Sequence, residues 1–175
     1  MRFFSQRGIT LIEAMIAISI IAIIASLAAP SFSTLMARQR IKGLGNEIMS
    51  DLFFSKMESA QSNQCIAVIF SATGYTIKKL SPYIIPCATA TASTITTIKT
   101  VSIDGNNTLN PSSGNTYLGV IFDPIRTEAI SSDYNLAINI SNNSASSSLL
   151  QISVSSLGRP KLCSPSGSIA GVKPC

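Results

Sequence analysis

The sequence predicts an α+β protein, with one long N-terminal helix packed on a small antiparallel β domain. Two observations carry this reading. An apolar run from Ile9 to Ala29 is followed by apolar residues recurring at steps of mostly three, four or five to about Gln61. From Gln64 the pattern changes to a period of two, or to short β-rich runs separated by turn residues. A length of 175 residues suits one domain plus an appendage.

The chain opens with a short basic leader, Met1 to Arg7, and Gly8 stands at the border between polar and apolar sequence. The positive leader would stay on the cytoplasmic side of a membrane. Ile9 to Ala29 gives about 21 residues, enough at 1.5 Å each to span a hydrocarbon core of ~30 Å. A cleaved secretory signal is the alternative, but such apolar regions run about 7–15 residues and carry no acid. Here Glu13 sits inside the run. A lone charge in hydrocarbon is costly and therefore a functional candidate.

Pro30 follows, and a proline inside a helix deletes a hydrogen bond and crowds the preceding turn, so a kink is expected there. Ser31 offers a fresh helix start as the other solution. Beyond it the expected core stripe is Phe32, Leu35, Met36, Leu44, Ile48, Leu52, Met57 and Ala60, with charged residues on the other faces. Gly43 and Gly45 weaken the helix, each by roughly 1 kcal/mol relative to Ala. The two halves together would make a curved rod of ~80 Å.

Strands are expected at 65–70, 75–80, 93–103, 117–122, 135–140 and 149–155. The breaks carry turn chemistry at Ala72–Gly74, Ser81-Pro82, Asp104–Asn107, Asn110-Pro111 and Ser141–Ser144. Gly158 to Cys175 is rich in Gly, Pro and Ser and reads as a loop. Asp104–Asn107 lacks the following acid of a calcium loop, so an Asp-Gly turn explains it better.

Cys65, Cys87, Cys163 and Cys175 all lie beyond the apolar run and form no C-x-x-C pair, which disfavours zinc and redox motifs. Two disulfides in an oxidising compartment are the expected use. Four cysteines allow three connectivities; the local one, Cys65 with Cys87 and Cys163 with Cys175, is expected. It would tie the first strand to the loop after the second and close the C-terminal loop.

The net charge of +5 comes from 13 Lys and Arg against 8 Asp and Glu. Loss of Met1–Gly8 takes away Arg2 and Arg7 and leaves 11 against 8. After Asp133 the only charges are Arg159, Lys161 and Lys173. Arg159 and Lys161 flank Pro160 and are candidate phosphate contacts for DNA, against the plainer reading of a solvated loop or subunit contact. Arg38, Arg40 and Lys42, just past the apolar run, read as a solvated helix face. The chain has no histidine, which removes the commonest general base and metal ligand. No catalytic nucleophile, metal or cofactor is indicated, and the chain reads as a non-enzyme.

The stretch Gly8-Ile-Thr-Leu-Ile-Glu13 resembles the processing site of type IV prepilins and type II secretion pseudopilins. Ser31 to Asn63, and the tail Ser156-Leu-Gly-Arg-Pro-Lys-Leu-Cys163, are similar to GspH/FimT-type minor pilins. The resemblance implies a pilin-like fold, cleavage after Gly8 by a prepilin peptidase, and methylation at Ile9, where most members carry Phe. It implies that Glu13 pairs with the N-terminal amine of a neighbouring subunit. Segments 1–8, 9–29, 30–63 and 64–175 would be leader, membrane and filament helix, amphipathic helix and β domain. The implied role is that of a minor pilin in initiation or tip assembly of a type IV pilus. The partners would be other pilin subunits, the processing enzyme and the inner membrane. Alternatives are a DNA-binding pilus subunit and a type II secretion pseudopilin.

Overall fold

The computed structural model describes residues 9–81, 87, 94–112, 119–125, 129–130, 135–142 and 149–175. The expected leader with Gly8, the strand ends at 93 and 117–118, and the turn residues Pro82, Asn143 and Ser144 lie outside them.

Helix α1 spans Leu11–Ser62, 52 residues, without interruption at Pro30, so the helix is not restarted at Ser31. It ends one residue beyond the expected limit. Asn63 takes φ 52°, and the Gln64 amide donates to the Ser59 carbonyl at 3.3 Å. Asn tolerates this left-handed position, and the 6→1 bond satisfies a carbonyl that the helix end would orphan.

The strands are β1 (Cys65–Ser71), β2 (Gly74–Ser81), β3 (Thr94–Ser102), β4 (Asn107–Ser112), β5 (Gly119–Phe122), β6 (Ala129–Ile130), β7 (Asn135–Asn142), β8 (Leu150–Ser155) and β9 (Pro160–Cys163). All pair antiparallel, in a five-stranded sheet ordered β3-β2-β1-β5-β6 and a four-stranded sheet ordered β4-β7-β8-β9. The α+β expectation therefore holds, with two sheets. The chain divides into two compact units, Met1–Gln39 and Arg40–Cys175.

Within the second unit, one core joins the later part of α1 to both sheets. Ile41, Ile48 and Leu52 meet Ile66, Val68 and Phe70 of β1, Tyr75 and Ile77 of β2, and Val120 and Phe122 of β5. From the other sheet come Leu109, Ile138, Ile140, Leu150, Ile152 and Val154. Because side chains alternate along β1, Cys65 and Ala67 face the other way, into a smaller cluster with Leu80 and Cys87.

Three elements correct the sequence reading. Asn110-Pro111 is not a break but lies within β4, and the supposed loop after Gly158 begins with β9. Both strands are sheet edges, where a proline's missing N–H costs no ladder bond. The two-residue β6 is too short to leave a period.

The helix stripe also differs. The buried positions of α1 in this unit are Ile41, Gly45, Ile48, Leu52, Ser55 and Ser59, with Asp51 beside them. Met57, Phe53 and Phe54 are exposed, as are Phe32, Leu35, Met36 and Ala60. The helical period was right, and Ile48 and Leu52, with Leu44 packed beside them, lie on the buried face as expected, but the rest of the expected stripe does not. Small residues occupy the buried face because the strands come close: a Cβ on Gly45 would lie 3.1 Å from Leu150 Cδ1 and 3.2 Å from Leu162 Cδ1. Gly45 thus permits close approach, whereas nothing lies within 4 Å of a Cβ on Gly43.

Candidate functional site

The candidate processing end begins at Ile9, the first described residue after Gly8. Thr10 Oγ1 accepts a hydrogen bond from the Glu13 amide at 3.4 Å, an N-cap for α1. The spacing Thr10-x-x-Glu13 is that of a capping box, a signal the sequence reading passed over. Glu13 lies in the first turn, where an acid complements the positive end of the helix. Among the described residues its carboxylate has no cationic partner.

From Ile9 to Ile24 the large apolar side chains are exposed on every face of the helix, including Leu11, Ile12, Met15, Ile16, Ile20 and Ile21. Its hydroxyls are satisfied internally, since Ser19 Oγ donates to Met15 O at 2.6 Å and Ser26 Oγ to Ile23 O at 2.8 Å. A helix apolar all round but for Glu13, with these serine hydroxyls bonded within it, is suited to apolar surroundings. No helix among the described residues is long and apolar enough to cross a membrane. The described side chains of the apolar run end at Ser26, short of the Ala29 to which the sequence carries it.

The basic pair lies on the second unit. The β8–β9 turn is closed by Ser155 N to Arg159 O at 3.1 Å and Gly158 N to Ser155 O at 2.8 Å, with Gly158 at φ 65°. Lys56 of α1 donates from Nζ to the carbonyls of Leu157, at 2.9 Å, and Gly158, at 3.5 Å. This fixes the turn against the helix and leaves Arg159 and Lys161 exposed on one side of β9. An open recess of about 810 Å³ is lined by Phe53, Lys56, Gly158, Arg159, Pro160 and Lys161. The sequence around the turn holds no aromatic residue; the fold supplies Phe53 from α1.

Of the cations past the apolar run, Lys42 is not simply solvated: its Nζ donates to Ala170 O at 3.0 Å. The C-terminal loop it holds is closed by the Cys163–Cys175 disulfide and by Ser164 Oγ bonding Leu149 O at 2.9 Å. The other disulfide, Cys65–Cys87, lies in the smaller core cluster.

A polar cluster that sequence reasoning missed joins α1 to the first sheet. Asp51, 8% exposed, accepts from Tyr75 Oη at 2.6 Å and from Lys99 Nζ at 2.7 and 2.9 Å. Burial, and then the Asp51 carboxylate beside it, push the Tyr75 phenol well above its ordinary range. Lys99 is a strand residue 48 positions from Asp51, so no local spacing announces the pair. Tyr75 and Lys99 of the sheet both bond the one carboxylate of α1, which makes the cluster a helix-to-sheet clamp. Among the described residues no group of acids and cysteines is placed to hold a metal.

Residues 4–29 match the Prokaryotic N-terminal methylation motif. No curated protein is significantly similar in sequence. Among solved structures, the chain is similar to the minor pseudopilin EpsH from the Type 2 Secretion System of Vibrio cholerae. The TM-score is 0.54 at 11% identity, over 71% of this chain and 96% of that one. At that identity the likeness speaks for the fold. The chain therefore combines an N-terminal methylation motif with a minor-pseudopilin fold.

Proposed function

We propose that this chain is a minor type IV pilin, a structural subunit and not an enzyme, that acts in initiation or tip assembly of a type IV pilus. The supporting observation is the succession of elements. A methylation motif covering residues 4–29 runs into a helix with exposed apolar side chains on all faces, and a two-sheet globular unit follows. The prepilin peptidase cuts after Gly8 and the new amine at Ile9 is methylated, which keeps its charge. Residues 9–29 anchor the precursor once across the inner membrane and then enter the filament core. Residues 30–63 continue the helix, and 64–175 form the outward β domain in the periplasm or at the cell surface, with its cysteines oxidised. Surface attachment and twitching depend on the filament it helps to start.

Glu13 supplies the register. Its carboxylate, without a cationic partner among the described residues, meets the amine of a neighbouring subunit in the apolar core, where each charge alone would be costly. The test is Glu13→Ala in cells. The variant should be cleaved normally yet be lost from sheared filaments; normal incorporation would refute the pairing.

A type II secretion pseudopilin shares the N-terminal argument, and the fold likeness to EpsH favours keeping it as a second reading. Deletion of the gene separates the two: loss of pili and twitching supports the pilus, loss of protein secretion the pseudopilus. A DNA receptor would show lost transformation with pili intact, through contacts at Arg159 and Lys161.

A further inference from the structure

The recess beside the β8–β9 turn combines an apolar floor with a one-signed rim. Phe53 and Pro160 supply apolar surface, Lys56, Arg159 and Lys161 supply charge, and among the described residues no acid lines it. Phe53 is 48% exposed, and Met57, one helical turn further on, is 71% exposed. Leu157, at the tip of the adjoining turn, is 59% exposed. The three cations are not equivalent. Lys56 is bonded to two backbone carbonyls, whereas Arg159 and Lys161 are exposed and their side chains have no partner among the described residues. The turn that carries them is closed on itself and fixed to the helix, so little order has to be acquired on binding.

We propose that this recess is a socket for a neighbouring subunit of the same filament. The partner presents an apolar side chain to Phe53 and, next to it, a carboxylate to Arg159 and Lys161. The proposal rests on the filament-subunit reading above. Charge complementarity picks the occupant, because an apolar contact bordered by a partly desolvated ion pair is how interface anchors are built. Nucleic acid fits less well. Two free cations neutralise about two phosphates, against the 6–10 contacts of a typical DNA-binding surface. The exposed Phe53, in the same recess as the charges, and the exposed Met57 and Leu157 also add apolar surface that a phosphate backbone does not use.

The test places a photo-crosslinking amino acid at Phe53 of the full chain, in cells that make the filament. Sheared filaments are then irradiated and the products mapped. A cross-link to a second filament subunit, at an apolar residue beside an Asp or Glu, is expected. Arg159→Glu with Lys161→Glu should cut its yield about tenfold, the effect of about 1.4 kcal/mol. Changing the mapped acid to Lys should restore it. Arg159→Gln and Lys161→Gln, neutral changes at exposed positions, should give an intermediate loss if reversal disturbs the fold. Filaments that contain the chain but yield no cross-linked subunit would overturn the socket, as would a yield indifferent to the charges. The same holds if the reversals abolish duplex DNA binding, measured in a salt series, and leave the cross-link intact. If the unmodified chain is absent from filaments, the subunit reading itself fails, and the socket with it.

Discussion

Replacing Tyr75 by Phe removes one hydroxyl and almost nothing else, which makes it the sharpest probe of the clamp between helix and sheet. The lost bond is 2.6 Å long and runs to a buried carboxylate. Hydrogen bonds to charged groups contribute about 1.5–3 kcal/mol. The lower end applies, because Asp51 keeps both contacts from Lys99, at 2.7 and 2.9 Å. A loss of about 1.5 kcal/mol follows, or roughly 5 °C in Tm for a domain of this size. Lys99→Met should cost less, about 0.5–1 kcal/mol, since its side chain is 42% exposed and water replaces much of the ion pair. The assay is denaturant unfolding of a soluble chain beginning at Ser31, with disulfides intact, for Tyr75→Phe, Asp51→Asn and the double variant. Coupling of about 1 kcal/mol is expected in that cycle. Additive effects, or a Tyr75→Phe loss under about 0.5 kcal/mol, would show that the short contact is incidental to stability.

The same phenol sets a pH dependence. Its folded pKa lies above the unfolded value of 10.0, so the stability it contributes is complete below pH 10 and is lost as pH rises beyond it. Tyr75→Phe should therefore flatten the alkaline limb of a stability-pH curve, and an unchanged limb would contradict the assignment. Gly43→Ala should stabilise by about 1 kcal/mol through helix propensity, whereas Gly45→Ala should gain much less because the new methyl meets Leu150 and Leu162. Equal gains at the two sites, read by thermal melts, would argue against close helix-sheet approach at Gly45. Opening either disulfide by a Cys→Ser pair should cost about 3 kcal/mol, given closed spans of 22 and 12 residues. Loss of Cys163–Cys175 should also free the loop that Lys42 holds, raising amide exchange around Ile169.

What could be read from the sequence and what could not divide along the range of the interactions. The N-terminal signals are local: Gly8, the capping spacing of Thr10 with Glu13, and the apolar run lie within a few turns of one another. Strand positions were legible for the same reason, as alternation and turn residues are neighbours in the chain. Of the strands missed, β6 is only two residues long, and β4 and β9 carry Pro111 and Pro160, which are acceptable only because those strands are edges. Edge position belongs to the sheet and not to the segment. The helix face was read only in part, at Leu44, Ile48 and Leu52, for the same reason. Ile41, Gly45, Ile48, Leu52, Ser55 and Ser59 make a regular seam, yet three of the six are Gly or Ser and add nothing to an apolar count. What commits them is distant: Ser59 Oγ donates to the carbonyl of Phe122, 63 residues on. Cations show the point most plainly. In the sequence Lys56, Arg159 and Lys161 are three equivalent surface charges. The fold spends Lys56 on carbonyls 101 and 102 residues away and leaves the other two beside Phe53. A structural lysine and a pair available to a partner thus differ only in what the chain brings opposite them.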